Sequence, residues 1–163
     1  MRLFLECKPD ETLATTLGVP PKFIIHSHGK GKISKCLSNC SSAIALIDED
    51  PGAAVPTYLK NVKSEAERNQ EPGRNQRHDI RVYIDKKRDN CIIELSPRLE
   101  EWRVQTAKDA GLKMTDFGFE SDQGTRLHAE INQRLNNLKQ LVEALRHAKS
   151  PRLLRLQELL KQD

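Results

Sequence analysis

The sequence predicts an α/β fold: a mostly parallel sheet flanked by helices, with a C-terminal helical extension. Three observations lead there. Short apolar runs alternate with short helical stretches as β-α-β-α-β through residue 47, the order that builds a parallel sheet through right-handed crossovers. These runs lack the apolar/polar alternation of a half-exposed strand, which suits strands covered on both faces. From about Thr125 onward, apolar residues recur at three-to-four spacing, the mark of amphipathic helices.

"RLFLE" (2–6) reads as the first buried strand. "DETLATTLG" (10–18) follows as a short helix, with Asp10 as N-cap and Gly18 as stop. "KFIIHS" (22–27) is the second strand, "HGKGK" (28–32) a glycine-rich turn and "ISKCLSNC" (33–40) the second helix. "SAIALI" (42–47) is the third strand. Residues 51–79 lose this order. "YLKNVKSEAER" has helical character, and the polar stretch after it holds Pro72 and Gly73, the composition of a long functional or disordered loop. "IRVYID" (80–85) and "NCIIELS" (90–96) read as strands whose short charged connection forces them antiparallel. Residues 97–111 read as a helix, with Pro97 at its first position and Gly111 as its stop. One helix from Thr125 carries Leu127, Ile131, Leu135, Leu138, Leu141, Val142 and Leu145, and another opens at Ser150-Pro151. The boundaries expected are an α/β domain over 1–111 and a helical extension over 112–163. The extension packs on the domain's own core or forms a homodimer contact.

The 163 residues suffice for one domain with a core, and 31% charged against 4% aromatic residues describes a soluble protein with a lean aliphatic interior. No apolar run approaches the roughly 20 residues that span a bilayer. The N-terminal apolar patch is too short for a signal peptide and acids follow it at once, so a cytoplasmic location and no membrane partner are expected. Cys7, Cys36, Cys40 and Cys91 match no common zinc spacing. Cys36 and Cys40 share a helix face near His26 and His28, but reduced structural thiols are the plainer reading. Trp102 lies on an amphipathic helix and reads as core.

The net charge of +4 implies no nucleic acid by itself. Its distribution says more. "AIALIDEDPG" (43–52) runs five apolar residues into Asp48, Glu49 and Asp50. Carboxylates this close repel, so something positive is expected beside them. Ligands of a parallel sheet sit at the carboxyl ends of its strands. Glu6 ends the first strand, and Asp48 and Asp50 end the third. If those strands are neighbours, these acids converge, with Asp10 on the first turn beyond. Oxygen ligands of this kind suit Mg2+ or Mn2+. The D-x-D alternation would turn Asp48 and Asp50 toward the ion and Glu49 away. The plainer reading is that "DEDPG" is good turn chemistry.

An acid after strand one as E-x-x-x-D, here "ECKPD", followed by D-x-D after strand three, here "DED", resembles the Toprim domain. That family includes the catalytic domains of topoisomerases and primases and the OLD-family nucleases. The likeness covers about residues 2 to 105 and is nearest to OLD-family and small stand-alone Toprim proteins. "GKGK" after strand two and "ELSPRLEEW" at a late helix start agree with it. The resemblance implies a Toprim/Rossmann-like sheet and metal-dependent cleavage of, or phosphotransfer on, nucleic acid. Glu6 would be metal ligand and general base, Asp48 and Asp50 the ion's holders, and Asp10 and Glu100 ligands to it or to a second metal. Toprim proteins usually place Gly directly after the first glutamate; here it is Cys7, and a residue with a Cβ lets a phosphate approach less closely.

Lys30, Lys32, Lys87 and Arg88 are the candidates for phosphate or nucleic-acid contact, although a lysine-rich turn is usually just solvated. The Walker A spacing is absent, which argues against an ATP motor. A rival from another class is a non-catalytic Toprim-like module that binds nucleic acid or a partner protein supplying the tyrosine or ATPase domain. A receiver-like phosphoacceptor at Asp48 fits less well. Receivers want adjacent acids after strand one and a lysine after strand five, where this chain has a single Glu6 and "ELSP".

Overall fold

The computed structural model describes residues 2–69, 78–120 and 124–161. Of the polar stretch expected as a loop, residues 70–77 lie outside the described residues. The chain is α/β, with a five-stranded, mostly parallel sheet and seven α-helices among the described residues. It divides into two compact units, one of residues 1–7 and 22–97, the other of residues 8–21 and 98–163. Helices over 8–16 and 99–109 thus group with the C-terminal helices, where a boundary at residue 111 would assign them to the sheet.

The first unit holds β1 (Leu3–Leu5), β2 (Ile24–His26), β3 (Ile44–Asp48), β4 (Ile80–Asp85) and β5 (Asn90–Leu95). The sheet order is β2-β1-β3-β5-β4. β1, β2, β3 and β5 run parallel, and β4 pairs antiparallel with β5. The sequence explains the one reversal, because four residues between β4 and β5 allow only a hairpin. In chain order α1 is Lys8–Thr16, α2 Lys30–Ser38 and α3 Thr57–Arg68; α2 and α3 belong to this unit. They cover one sheet face over Phe4, Ala45, Ile47, Ile92 and Tyr83, with Ile33, Leu37, Leu59 and Val62 as their own buried contributions.

α2 starts earlier than the glycine-rich turn suggests. His28 (φ 49°) and Gly29 (φ 110°) together make the turn, the latter in a conformation open to glycine at little cost, so the chain is helical from Lys30. At the other end of the unit Asn90 is fully buried and ties three segments together. Its Nδ2 donates to the carbonyls of Leu37 (2.9 Å) and Cys40 (3.2 Å), and its Oδ1 accepts from the Ala43 amide (3.1 Å).

The second unit is all-helical, comprising α1, α4 (Leu99–Asp109), α5 (Gly124–Gln133), α6 (Leu135–His147) and α7 (Pro151–Leu160). The single helix expected from Thr125 is two, because Arg134 leaves helical geometry (φ −120°, ψ 53°) and its guanidinium is drawn to the Gly118 carbonyl and to Glu120 (2.8 Å). The helix expected from Pro97 starts at Leu99, and Pro97 instead offers its carbonyl to the Asp50 amide (3.1 Å), within the first unit. Leu127, Ile131, Leu138, Leu141, Val142 and Leu145 are buried, as their spacing requires, with Leu153, Leu156, Leu159 and Leu160 of α7 and with Trp102. No described helix is long and apolar enough to cross a membrane. All four cysteines are free thiols.

Candidate functional site

β1 and β3 are adjacent and parallel, in register Leu3 with Ile44 and Phe4 with Ala45. Glu6 is therefore one residue past the end of β1 where Asp48 closes β3. Their backbones leave the sheet at the same end, at levels offset by about one residue rise, ~3.3 Å. Both side chains are half-buried. This is the carboxyl end of the parallel strands, where ligands of such sheets gather.

Glu49 and Asp50 behave differently from Asp48. Alternation puts Glu49 on the face shared by Ile47, Glu94 and Arg81, since Ile47 registers with Glu94 and Glu94 with Arg81. There the Arg81 guanidinium meets Glu49 Oε1 at 2.7 Å and the Ser96 hydroxyl donates to Oε2. Burial pushes the Glu49 carboxyl up, but the Ser96 and Arg81 hydrogen bonds and the nearby positive charge outweigh it, and its pKa falls below the usual value. Asp50 has φ 48°, so the extended alternation on which a shared D-x-D face rests stops before it. Its carboxylate pairs with Lys30, 2.9 Å away, and the same ammonium donates to the Glu49 carbonyl at 2.9 Å. The positive charge that the acid run demands is thus supplied in part by the protein, from the first residue of α2 and from β4.

Beside this knot lies a charged site that the sequence reading missed. Glu94, next to last in β5, is 0% exposed. Its carboxylate takes the Lys63 ammonium of α3, the Tyr83 hydroxyl at 3.3 Å, and Arg81 at 3.8 Å. Burial first, and then the Glu94 charge, push the Tyr83 hydroxyl up to about 12, so it remains a donor. The signal was present in the sequence as an acid interrupting the apolar run "CIIEL".

The other predicted residues fall elsewhere. Lys32 is exposed on α2. Lys87 and Arg88 stand in the β4–β5 turn, at the opposite end of the sheet from Asp48. Arg88 is held there by Asp85 (3.4 Å), by the Ser38 carbonyl (3.0 Å) and over the Tyr58 ring (5.8 Å). Asp10 and Glu100 belong to the second unit and both are buried. Glu100 Oε1 lies 2.8 Å from Nδ1 of His128, a residue that sequence reasoning did not single out. Among the described residues no group of three or more His, Cys, Asp or Glu is gathered as a metal cage, the cysteines and histidines near α2 included.

Asp85 gives this unit a pH dependence of known sign. Burial raises its carboxyl, but hydrogen bonds from the Tyr58 hydroxyl (2.7 Å) and from the Arg88 and Lys87 amides outweigh that, and the pKa is lowered. A depressed pKa stabilises the fold above the unfolded-state value of about 3.9 and is lost as pH falls through the lower native value. Urea midpoints measured between pH 7 and pH 2.5 are expected to fall more steeply below about pH 4 in the wild type than in Asp85→Asn. Parallel curves would contradict this account.

No family model, no curated protein and no solved structure matches the chain.

Proposed function

We propose that the chain is a Toprim-like, cytoplasmic protein that carries out Mg2+- or Mn2+-dependent cleavage of, or phosphotransfer on, nucleic acid at the exits of β1 and β3. One observation supports this above the rest: Glu6 and Asp48 leave adjacent parallel strands at the same end. The donor set fits a hard cation. Magnesium is commonly bound by one or two protein carboxylates, with substrate phosphate and water completing its shell, so a three-acid cage is not required. Glu6 and Asp48 would hold the ion, which supplies charge to a phosphodiester and an activated water when bound. Asp50, drawn to Lys30, would act through that lysine. The Lys30 ammonium lies at the same strand ends and offers a cation for a substrate phosphate. Glu6 is the candidate to take a proton from the attacking water.

The second reading is a binding module without chemistry, and the Lys30–Asp50 and Arg81–Glu49 pairs favour it. They satisfy two of the three clustered acids with protein cations, which lowers the need for an ion. The test is Mn2+ titration calorimetry on the wild type and Asp48→Asn, with plasmid and single-stranded DNA and RNA assayed for cleavage. For the enzyme, Asp48→Asn is expected to lower Mn2+ affinity at least about tenfold, since even supporting residues of metal sites cost 10–100-fold. Cleavage is expected to fall about a hundredfold. Metal binding unchanged in Asp48→Asn would overturn the assignment. Nucleic-acid binding that ignores metal and weakens in Lys30→Ala would support the module.

A further inference from the structure

We propose that the groove between α2 and α3 binds a small phosphorylated molecule that also carries hydroxyl or amino groups, of the sugar-phosphate or mononucleotide class. This site is distinct from the carboxylates at the strand exits and does not depend on their role.

The groove is open to solvent and has a volume of about 580 Å3, within the roughly 300–1,000 Å3 typical of small-molecule sites. It exists because the facing helix surfaces are small and polar. α2 presents Gly31, Ser34, Lys35 and Ser38, which share a face at i, i+3, i+4 and i+7, and α3 presents Thr57 and Asn61. Such side chains do not interlock as an apolar seam would, so the helices stand apart above their buried rows.

The two ends of the groove differ in charge. α2 starts at the strand exits, where Lys30 meets Asp50, and ends at the β4–β5 turn, where Arg88 Nε donates to the Ser38 carbonyl. α3 runs the other way, since Tyr58 in its first turn bonds Asp85 of that turn and Lys63 reaches Glu94. The hairpin end therefore gathers Lys35, Lys87 and the positive N-terminal end of α3. Arg88 there is already neutralised by Asp85. Neither lysine ammonium forms an ion pair among the described residues. Two unpaired cations and a helix N-terminus form a phosphate site. Glu65 lies toward the far end, where it would accept from a hydroxyl or amino group. Between them the Ser34 side chain lines the groove although the residue is only 5% exposed, and its hydroxyl has no hydrogen bond among the described residues. That hydroxyl opens onto the groove, where a polar group of a bound ligand can reach it.

The test is titration calorimetry of the full chain, with EDTA present, using AMP, ribose 5-phosphate and adenosine. Saturable binding of AMP or ribose 5-phosphate, with none for adenosine, is expected. Binding of both would assign the sugar phosphate as the recognised part; AMP alone would assign a nucleotide. Lys35→Ala/Lys87→Ala, both at exposed positions, is expected to lose at least tenfold in affinity with an unchanged circular dichroism spectrum. Ser34→Ala is expected to lose less, and Asp48→Asn nothing. Adenosine binding as well as AMP, a double variant that binds like wild type, or no saturable heat with either phosphate would each overturn the proposal. EDTA removes divalent metal, so these outcomes leave the reading of the strand-exit acids untouched.

Discussion

Lys63→Ala is expected to destabilise the protein by about 3 kcal/mol, because it strands a buried charge. Glu94 is fully buried in β5, and Lys63 is its closest cation. Removing the ammonium leaves Arg81, 3.8 Å away and already engaged by Glu49, and the Tyr83 hydroxyl. Neither replaces a direct ion pair, and the carboxylate was desolvated by folding whether or not its partner is present. Urea denaturation at pH 7 would measure the loss. Lys63→Met combined with Glu94→Gln is expected to recover most of it, to within about 1.5 kcal/mol of wild type, because a pair removed as a whole leaves no orphaned charge. A loss under about 1 kcal/mol in Lys63→Ala would show that Arg81 alone sustains Glu94. The same network holds Arg81 where it reaches Glu49, so its integrity also governs the charge of the candidate site.

Asn90→Leu is expected to cost about as much, near 3 kcal/mol, through a different mechanism. Leucine matches the side-chain volume roughly but cannot donate to the carbonyls of Leu37 and Cys40, donate to the Tyr58 hydroxyl oxygen (3.1 Å), or accept from the Ala43 amide. Each backbone group left buried without a partner costs about 1–3 kcal/mol, partly relieved where the end of α2 can reach water. The Tyr58 hydroxyl keeps Asp85 as its acceptor, so the hairpin end of the groove is expected to loosen without collapsing. Thermal denaturation of Asn90→Leu and Asn90→Asp, with hydrogen exchange at Ala43, separates these effects. A wild-type midpoint in Asn90→Leu would mean that the three segments are held by packing alone.

Much of the sheet is legible in the sequence. Apolar runs without alternation at 2–6, 42–47 and 90–96 become β1, β3 and β5, whose apolar residues are all buried, and the four charged residues between β4 and β5 make a hairpin as chain length demands. The shared exit of Glu6 and Asp48 follows from strand order once β1 and β3 are neighbours. The register of the acid run is less legible. Glu49, expected to point away from the site, is anchored there by Arg81 and Ser96, and Asp50 leaves the alternation at a positive φ. Helix boundaries differ from the expected ones where one or two residues do the work assigned to several. His28 and Gly29 make the turn before α2, and Arg134 divides α5 from α6.

Local pattern is enough to place the strands, to say which end of the sheet carries the acids, and to require a cation among them. Those features depend on local pattern, connection length and the repulsion of neighbouring like charges. Which cation answers which acid is settled by long-range packing. Lys30 and Asp50 are 20 residues apart in the chain, Arg81 and Glu49 32, and Lys63 and Glu94 31. Nothing local relates them. They meet because the order β2-β1-β3-β5-β4 sets β5 between β3 and β4, and because α2 and α3 lie on the same face. A side chain's ionic partner is fixed by where elements pack, and packing is a property of the whole fold.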